Sequence, residues 1–220
     1  MTNQIVKDRN KLLSTKIIKN LEGRRFEAYY CSTKEEALNK FMSLIPENSS
    51  VAWGGSETLL ELGVFEELRK GNYKLIDRDK AKSPEERTEI MRSALLSDVF
   101  IMSANAISED GILYNIDGVG NRVAALIYGP KEVIVVVGMN KICKTIEEAY
   151  SRARNYAAPV NAYRIYSNSA DKDQNTPCKL TGSCNDCKNE GSVCSHIVQT
   201  RLCKPSGRIK VILVGEDLGF

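Results

Sequence analysis

Histidine is nearly absent from this sequence, because its 220 residues include a single one, His196. A Ser/His/Asp triad and a zinc-hydrolase motif such as H-E-x-x-H both need histidine, and His196 lies in a cysteine-rich segment. The sequence therefore excludes these two kinds of active site. Chemistry elsewhere in the chain has to use carboxylates, lysine, arginine or cysteine, and Glu57 and Glu109 are the candidate catalytic carboxylates. The alternative is that each is an ordinary helix-start or loop acid.

Long apolar runs are also missing from the sequence. The longest extends from Val133 to Val137, whereas a membrane-spanning helix needs about 20 apolar residues. The N-terminus is charged from Lys7 onward and has no apolar signal-peptide core. We expect a cytoplasmic protein without a membrane span.

The net charge of +3 comes from the N-terminal segment. Seven Lys/Arg and two Asp/Glu precede residue 26, which leaves 24 basic and 26 acidic residues in the remainder. Val6, Leu13, Ile17 and Leu21 recur at helical spacing in that segment, so its charges form the solvated face of a predicted helix. No basic stripe is interleaved with aromatic residues, and nucleic acid is not an expected partner.

Short apolar runs alternate with amphipathic segments through the first three-quarters of the chain. The strand candidates are 26–30, 51–53, 74–77, 99–103 and 132–138. Predicted helix starts carry capping boxes, namely Ser32 with Glu35, Ser83 with Glu86, and Thr145 with Glu148. This alternation predicts an α/β fold with a Rossmann-like, mostly parallel sheet and helices on both faces.

The composition changes between residues 167 and 207, where Ser, Asn, Asp, Lys and Cys dominate. A hydrophobic strand candidate, 208–214, follows and is expected to return to the main sheet. We therefore predict a single domain over residues 1–220, with a small cysteine-rich insertion at 167–207 before its last strand.

Four cysteines in this segment have a spacing that favours a metal centre. Cys178, Cys184, Cys187 and Cys194 follow the pattern C-x5-C-x2-C-x6-C. Zinc modules usually carry two C-x2-C pairs, whereas a single pair with two outlying cysteines is similar to iron–sulfur spacing. An iron–sulfur cluster is thus favoured over zinc. Cys203 and His196 are either alternative ligands or neighbours of the ligands.

Two glycine-containing stretches are candidate ligand sites. Gly54, Gly55, Ser56 and Thr58 follow a predicted strand and precede a helix, although Ser56 as an ordinary N-cap explains the same pattern. The second stretch combines polar groups with two glycines: Asn105, Asn115, Asp117, Gly118, Gly120, Asn121 and Arg122.

The second stretch starts at a strand end and includes a predicted hairpin turn at Asp110-Gly111. Its G-x-G is not a dinucleotide fingerprint, because the third glycine position holds Val123. Both stretches should meet at the carboxyl edge of the sheet and form one pocket for an anionic small molecule, with Arg122 as the fixed positive charge. The alternative is turn capping, with Arg122 paired to Asp117.

Residues 54–58, 105–111 and 115–123 resemble the LUD domain of lactate-utilisation proteins, and residues 215–220 are similar to the end of that family. The resemblance covers nearly the whole chain. It implies the NagB/ribose-5-phosphate isomerase/CoA-transferase-like fold and a role in lactate oxidation alongside iron–sulfur partner subunits. With cysteines at 178–203, the chain resembles a free-standing, cysteine-bearing branch of the family.

Three functions are compatible with these features. The first is a redox accessory protein in electron transport, which binds a small carboxylate and a 4Fe–4S cluster and works with iron–sulfur oxidoreductase subunits. The second is an isomerase or group-transfer enzyme acting on a phosphosugar or CoA ester, with a structural zinc. The third is a non-catalytic regulator that binds a ligand. Whether the chain is itself an enzyme stays open.

Overall fold

The computed structural model of the chain describes residues 4–167 and 176–220. Its strands are β1 (Glu27–Cys31), β2 (Ser50–Trp53), β3 (Lys74–Ile76), β4 (Val99–Met102), β5 (Ala106–Ser108), β6 (Leu113–Asp117), β7 (Glu132–Gly138), β8 (Ile142–Cys143), β9 (His196–Thr200) and β10 (Ile209–Val214). Its helices are α1 (Gln4–Gly23), α2 (Lys34–Ser43), α3 (Glu57–Glu61), α4 (Val64–Lys70), α5 (Pro84–Ser93), α6 (Asn121–Ile127), α7 (Ile146–Arg152), α8 (Ala158–Ser167) and α9 (Pro177–Thr181). A π-helical turn, Ala153–Ala157, joins α7 to α8.

Six strands form a parallel main sheet in the order β1-β10-β7-β4-β2-β3. The closing strand β10 lies between β1 and β7, so the chain does return to the sheet after the cysteine-rich segment. The predicted α/β class with a mostly parallel sheet is confirmed. Within the described residues, no helix is both long and apolar enough to cross a membrane.

Strand β7 has apolar residues on both faces because each face meets a separate core. Val133, Val135 and Val137 contact the core that includes α1 and α6, whereas Ile134 and Val136 contact the core that includes α2, α3 and α4. The alternation of Cβ direction along a strand assigns neighbouring residues to opposite cores. The sheet is therefore covered by helices on both faces, as its uninterrupted apolar run predicted.

A smaller sheet has the strand order β8-β5-β6-β9. Strands β5 and β6 form the hairpin predicted at Asp110-Gly111, where Gly111 has φ +89°. Strand β9 comes from the cysteine-rich segment and pairs antiparallel with β6. Residues 196–200 of the predicted insertion are thus part of this sheet. Hydropathy missed β9 because an edge strand needs backbone hydrogen bonds and few apolar side chains. Residues 168–175 of that segment lie outside the described residues.

Two of the three predicted capping boxes form as expected. Ser83 and Thr145 cap α5 and α7 through the backbone N–H groups of Glu86 and Glu148. The α2 box was predicted one residue too early, because Thr33 and not Ser32 accepts the capping hydrogen bond, from Glu36 N at 3.2 Å. Both registers fit the S/T-x-x-E pattern, so the pattern does not select between them.

Candidate functional site

A cleft of about 690 Å³ lies at the carboxyl edge of the main sheet. Residues 54–58 enter it from β2, Arg78 from β3, residues 103–105 from β4, and Lys141 from β7. Strands β2 and β4 are neighbours in the main sheet. The next main-sheet strand after β2 in the chain, β3, lies on one side of this pair, and the next one after β4, β7, lies on the other, so the strand order reverses between β2 and β4. Ligands of open α/β sheets bind at such a reversal of strand order.

The cleft brings together most of the ligand residues predicted from sequence. The predicted residues that line it are Gly54, Gly55, Ser56, Thr58, Asn105, Asp117, Gly118, Asn121 and Arg122. Two other predicted residues, Asn115 and Gly120, do not line the cleft. Asn115 is fully buried, and a Cβ on Gly120 would lie 3.0 Å from the Nε2 atom of His196. The two predicted walls touch, since a Cβ on Gly54 would lie 3.1 Å from Arg122 Cδ.

The Arg122 guanidinium is surrounded by protein acceptors. Its two Nη atoms donate hydrogen bonds of 2.6–3.0 Å to Ser103 O, Asn115 Oδ1, Asn105 Oδ1 and Ile116 O. The carboxylate of Asp117 lies 3.7 Å from Nε and accepts from the backbone N–H of Arg122. Burial lowers the pKa of Arg122, while Asp117 opposes that shift. Arg122 thus uses its donors to hold the loops after β4 and β6 together.

The two candidate carboxylates lie in different places. Glu57 lines the cleft and accepts a 3.0 Å ion pair from Arg164 of α8. Glu109 is not a lining residue and pairs with Lys16 and Lys144 at 2.6 and 2.9 Å. The hydrogen bond from Lys16, followed by that from Lys144, lowers the pKa of Glu109. Glu109 is therefore a structural anion between α1 and the smaller sheet.

Arg78, which was not predicted from the sequence, follows β3 and lines the cleft beside Gly55. Its Nε is buried without a hydrogen-bond partner, and the hydrogen bond found for its guanidinium is a 3.8 Å contact from Nη1 to Met91 Sδ. Burial, followed by the neighbouring cation Arg87, lowers the pKa of Arg78. The sequence did carry one signal for Arg78, namely its position directly after the predicted strand 74–77.

Lys141 was also not predicted, although it lies only three residues after the predicted strand 132–138. It ends a 3-10 turn after β7, is 3% exposed, and donates hydrogen bonds to Thr58 Oγ1 at 2.8 Å and Ser103 Oγ at 3.4 Å. Burial lowers the pKa of Lys141 to about 7. The cleft thus contains an amine that is partly neutral at neutral pH.

The four predicted metal-ligand cysteines line one small cavity. Cys178, Cys184, Cys187 and Cys194 surround a space of about 50 Å³. Burial, followed by the charges of the other three cysteines, raises the pKa of Cys194 to about 11. Cys203 lies elsewhere, in the main core. Among residues 4–167 and 176–220, no three His, Cys, Asp or Glu side chains are grouped closely enough to hold one metal ion.

The cysteine cavity and the cleft share a wall. Ile116 and Ser192 line both spaces. A Cβ on Gly118 would lie 3.4 Å from the Cα of Val193, so the cysteine segment packs directly against the loop after β6. A group bound by the cysteines would therefore lie next to a ligand in the cleft.

The sequence profile of the LUD domain matches residues 14–214. The chain belongs to the LUD domain family. This membership supports a protein of the lactate-utilisation type. No curated protein matches the chain.

This LUD-domain chain is similar to the crystal structure of a DUF162 family protein from Deinococcus radiodurans. The TM-score is 0.53 at 10% identity, over 93% of this chain and 98% of the other. Ribose 5-phosphate isomerase A from Methanocaldococcus jannaschii has a TM-score of 0.34 at 17% identity, over 61% of this chain and 66% of that one. The crystal structure of eIF2B delta from Chaetomium thermophilum has a TM-score of 0.34 at 14% identity, over 55% of this chain and 54% of that one.

Proposed function

We propose that this LUD-domain protein is a redox accessory component in the oxidation of lactate or a related small carboxylate. In this proposal Cys178, Cys184, Cys187 and Cys194 hold a 4Fe–4S cluster, the carboxylate binds in the cleft, and iron–sulfur oxidoreductase subunits accept the electrons. The observation that carries the proposal is the convergence of four thiols on one cavity that shares a wall with the cleft.

The sequence spacing of the thiols favours a cluster over a zinc ion. Zinc modules usually carry two C-x2-C pairs, whereas Cys184 and Cys187 form a single pair, with Cys178 and Cys194 as outlying cysteines. Such irregular spacing is typical of iron–sulfur sites.

Charge at the cavity is consistent with an anionic group. Arg154 lines the cavity and pairs with Asp186, and its positive charge partly opposes the burial and the neighbouring cysteines that raise the pKa of Cys194. Cysteine thiols must lose their protons to bind metal, and a nearby arginine stabilises the thiolate form. When bound, the cluster would supply a one-electron donor or acceptor beside the cleft.

In the cleft, Arg78 is the cation best suited to bind the carboxylate. Glu57 pairs with Arg164, Asp79 with Arg87, and the Arg122 donors are occupied. Arg78 has its 3.9 Å contact to Asp79 and the sulfur contact described above, and its Nη2 faces Gly55. A guanidinium binds a carboxylate through two parallel hydrogen bonds, which this arrangement leaves room to form.

The cluster is tested by anaerobic reconstitution of the full chain with iron and sulfide. We expect broad visible absorbance, about four irons and four sulfides per chain, and loss of both in the Cys184→Ser variant. The Cys203→Ser variant is the matched control and should keep its iron. A colourless protein with stoichiometric zinc, or full iron in Cys184→Ser, would contradict the proposal.

The carboxylate site is tested by titrating lactate into the protein in a calorimeter. Removing a charge-assisted hydrogen bond costs about 1.5–3 kcal/mol, so Arg78→Ala should lower the affinity roughly ten- to a hundredfold. Arg92→Ala, which removes an exposed arginine of α5, is the control. Equal affinity of the wild type and Arg78→Ala would rule out this anchor.

A further inference from the structure

Lys141 stands out among the lysines because its amine is buried in a ligand cleft. Its side chain extends from the turn after β7 to α3 and the loop after β4, where the hydroxyls of Thr58 and Ser103 accept its hydrogen bonds. Among the described residues, no carboxylate lies within ion-pair distance of its Nζ atom. A buried ammonium without a carboxylate partner is disfavoured relative to the neutral amine.

The charged groups around Lys141 act mostly in the same direction. Burial is the largest cause of its lowered pKa, and the cations Arg152 and Arg122 add to it, while Glu61 opposes them. A lysine that is partly neutral near pH 7 is a nucleophile, as in enzymes that form imines with carbonyl substrates.

We propose that Lys141 forms a reversible imine with the carbonyl carbon of a small 2-oxo acid bound in the cleft. This inference rests on the cleft being the carboxylate site of the proposed function. The Nζ lone pair forms a C–N bond, and one Nζ proton passes to the carbonyl oxygen to give a neutral carbinolamine. A second proton, taken from solvent water, converts the new hydroxyl into a leaving water. The C–O bond then breaks, and the imine nitrogen keeps its remaining proton and carries the positive charge.

The hydroxyls of Thr58 and Ser103 are placed to relay these protons, because both lie at hydrogen-bond distance from Nζ. A 2-oxo acid fits better than a simple aldehyde, since its carboxylate compensates the positive charge of the imine in a buried site. Arg78 would bind that carboxylate, since it lies beside Gly55, which is in the turn that leads into the helix of Thr58. The cleft therefore holds an amine, a proton relay and an anion anchor.

The test is borohydride trapping with pyruvate at pH 7, followed by peptide mass spectrometry of the full-length wild type. We expect one saturable reduced adduct on Lys141, with little on the exposed Lys131 and Lys144 of the same digest. Labelling that is spread over exposed lysines, or that spares Lys141, would overturn the inference.

Two further measurements separate this inference from the proposed function. Thr58→Val removes the relay hydroxyl and should slow trapping at least about tenfold, with circular dichroism confirming the fold; unchanged trapping would overturn the relay. If calorimetry detects pyruvate binding to the wild type but no adduct forms, the cleft remains the carboxylate site and the imine is rejected. The iron content of Lys141→Arg should equal that of the wild type.

Discussion

At the scale of single residues, the arginines of the cleft differ in how many of their donors the protein itself uses. Arg122 is saturated by loop acceptors, whereas Arg78 is close to Gly55 and has a buried Nε without a partner. The same residue type therefore stabilises the loops at one position and remains available for a ligand at the other. The number of hydrogen-bond acceptors that the surrounding protein places around each guanidinium decides between the two roles.

Arg122→Ala is expected to destabilise the fold as well as alter the cleft. The substitution leaves buried backbone and amide acceptors unpaired, and such losses cost about 2–4 kcal/mol in total. The free energy of unfolding in urea measures the effect, with the exposed Arg92→Ala as control. Wild-type stability in Arg122→Ala would show that the hydrogen bonds of its guanidinium contribute little.

Lys141 is expected to make stability depend on pH. Its pKa falls from 10.5 to about 7 on folding, so the unfolded chain binds more protons between these values and stability rises with pH there. Lys141→Met removes this titration. Its stability relative to the wild type should be highest at pH 7 and below, and should decline by up to about 1.4 kcal/mol per pH unit toward pH 10.

Urea unfolding at pH 6, 8 and 10 measures this dependence. Lys80→Met, at an exposed lysine, is the control and should show no comparable trend. A constant difference between Lys141→Met and the wild type at all three pH values would mean that the amine titrates normally in the folded protein.

At the scale of elements, the ends of strands and helices position the site. The strands β2, β3, β4 and β7 each end in a turn or loop that contributes to the cleft, so the parallel sheet gathers segments distant in sequence at one edge. Helix starts are specified by local caps, and α2 shows that the cap residue is Thr33.

Thr33→Ala is expected to destabilise the protein by about 1 kcal/mol, because the N–H of Glu36 loses its capping acceptor. Ser32→Ala is the matched control, since Ser32 contributes to the capping box through its backbone N–H, which binds Glu36 at 2.7 Å. Thermal unfolding of both variants measures the difference. A larger loss of stability in Ser32→Ala than in Thr33→Ala would show that Ser32 is the capping residue.

At the scale of the whole molecule, the cysteine module, residues 176–195, is separate from the two cores of the main sheet. Cys178 packs with Ala162 and Tyr166 in a small cluster of its own, whereas Cys203 belongs to the main core. The cysteine module and the main cores can therefore lose stability independently.

If the four cysteines hold the proposed cluster, its removal with a chelator is expected to loosen residues 176–195 and leave the main sheet folded. Amide hydrogen exchange should accelerate in residues 176–195 and stay slow in β7 and β10. Cys203→Ser should do the opposite: it keeps iron but lowers global stability by about 1–3 kcal/mol, because it places a hydroxyl in an apolar core. Faster exchange in β7 after chelation would show that the metal stabilises the whole fold.

Local patterns in the sequence were sufficient for the α/β class, the buried strand β7, the caps at Ser83 and Thr145, and the hairpin at Asp110-Gly111. Each depends on residues close together in the chain, where side-chain periodicity and turn geometry act directly. The convergence of residues 54–58 with Arg122 was also predicted, on the expectation that both follow strands of one parallel sheet. The two segments do meet, but Arg122 follows β6 of the smaller sheet, so that reason was wrong.

Tertiary structure alone decided which side chains of the cleft remain available. Arg78 and Lys141 come from turns more than sixty residues apart, and their burial and partners depend on which loops meet above the sheet. Hydropathy also failed for β9, whose pairing with β6 uses backbone hydrogen bonds. The sequence determined the elements because propensity is local, whereas burial and hydrogen-bond supply depend on the complete set of neighbours that folding assembles.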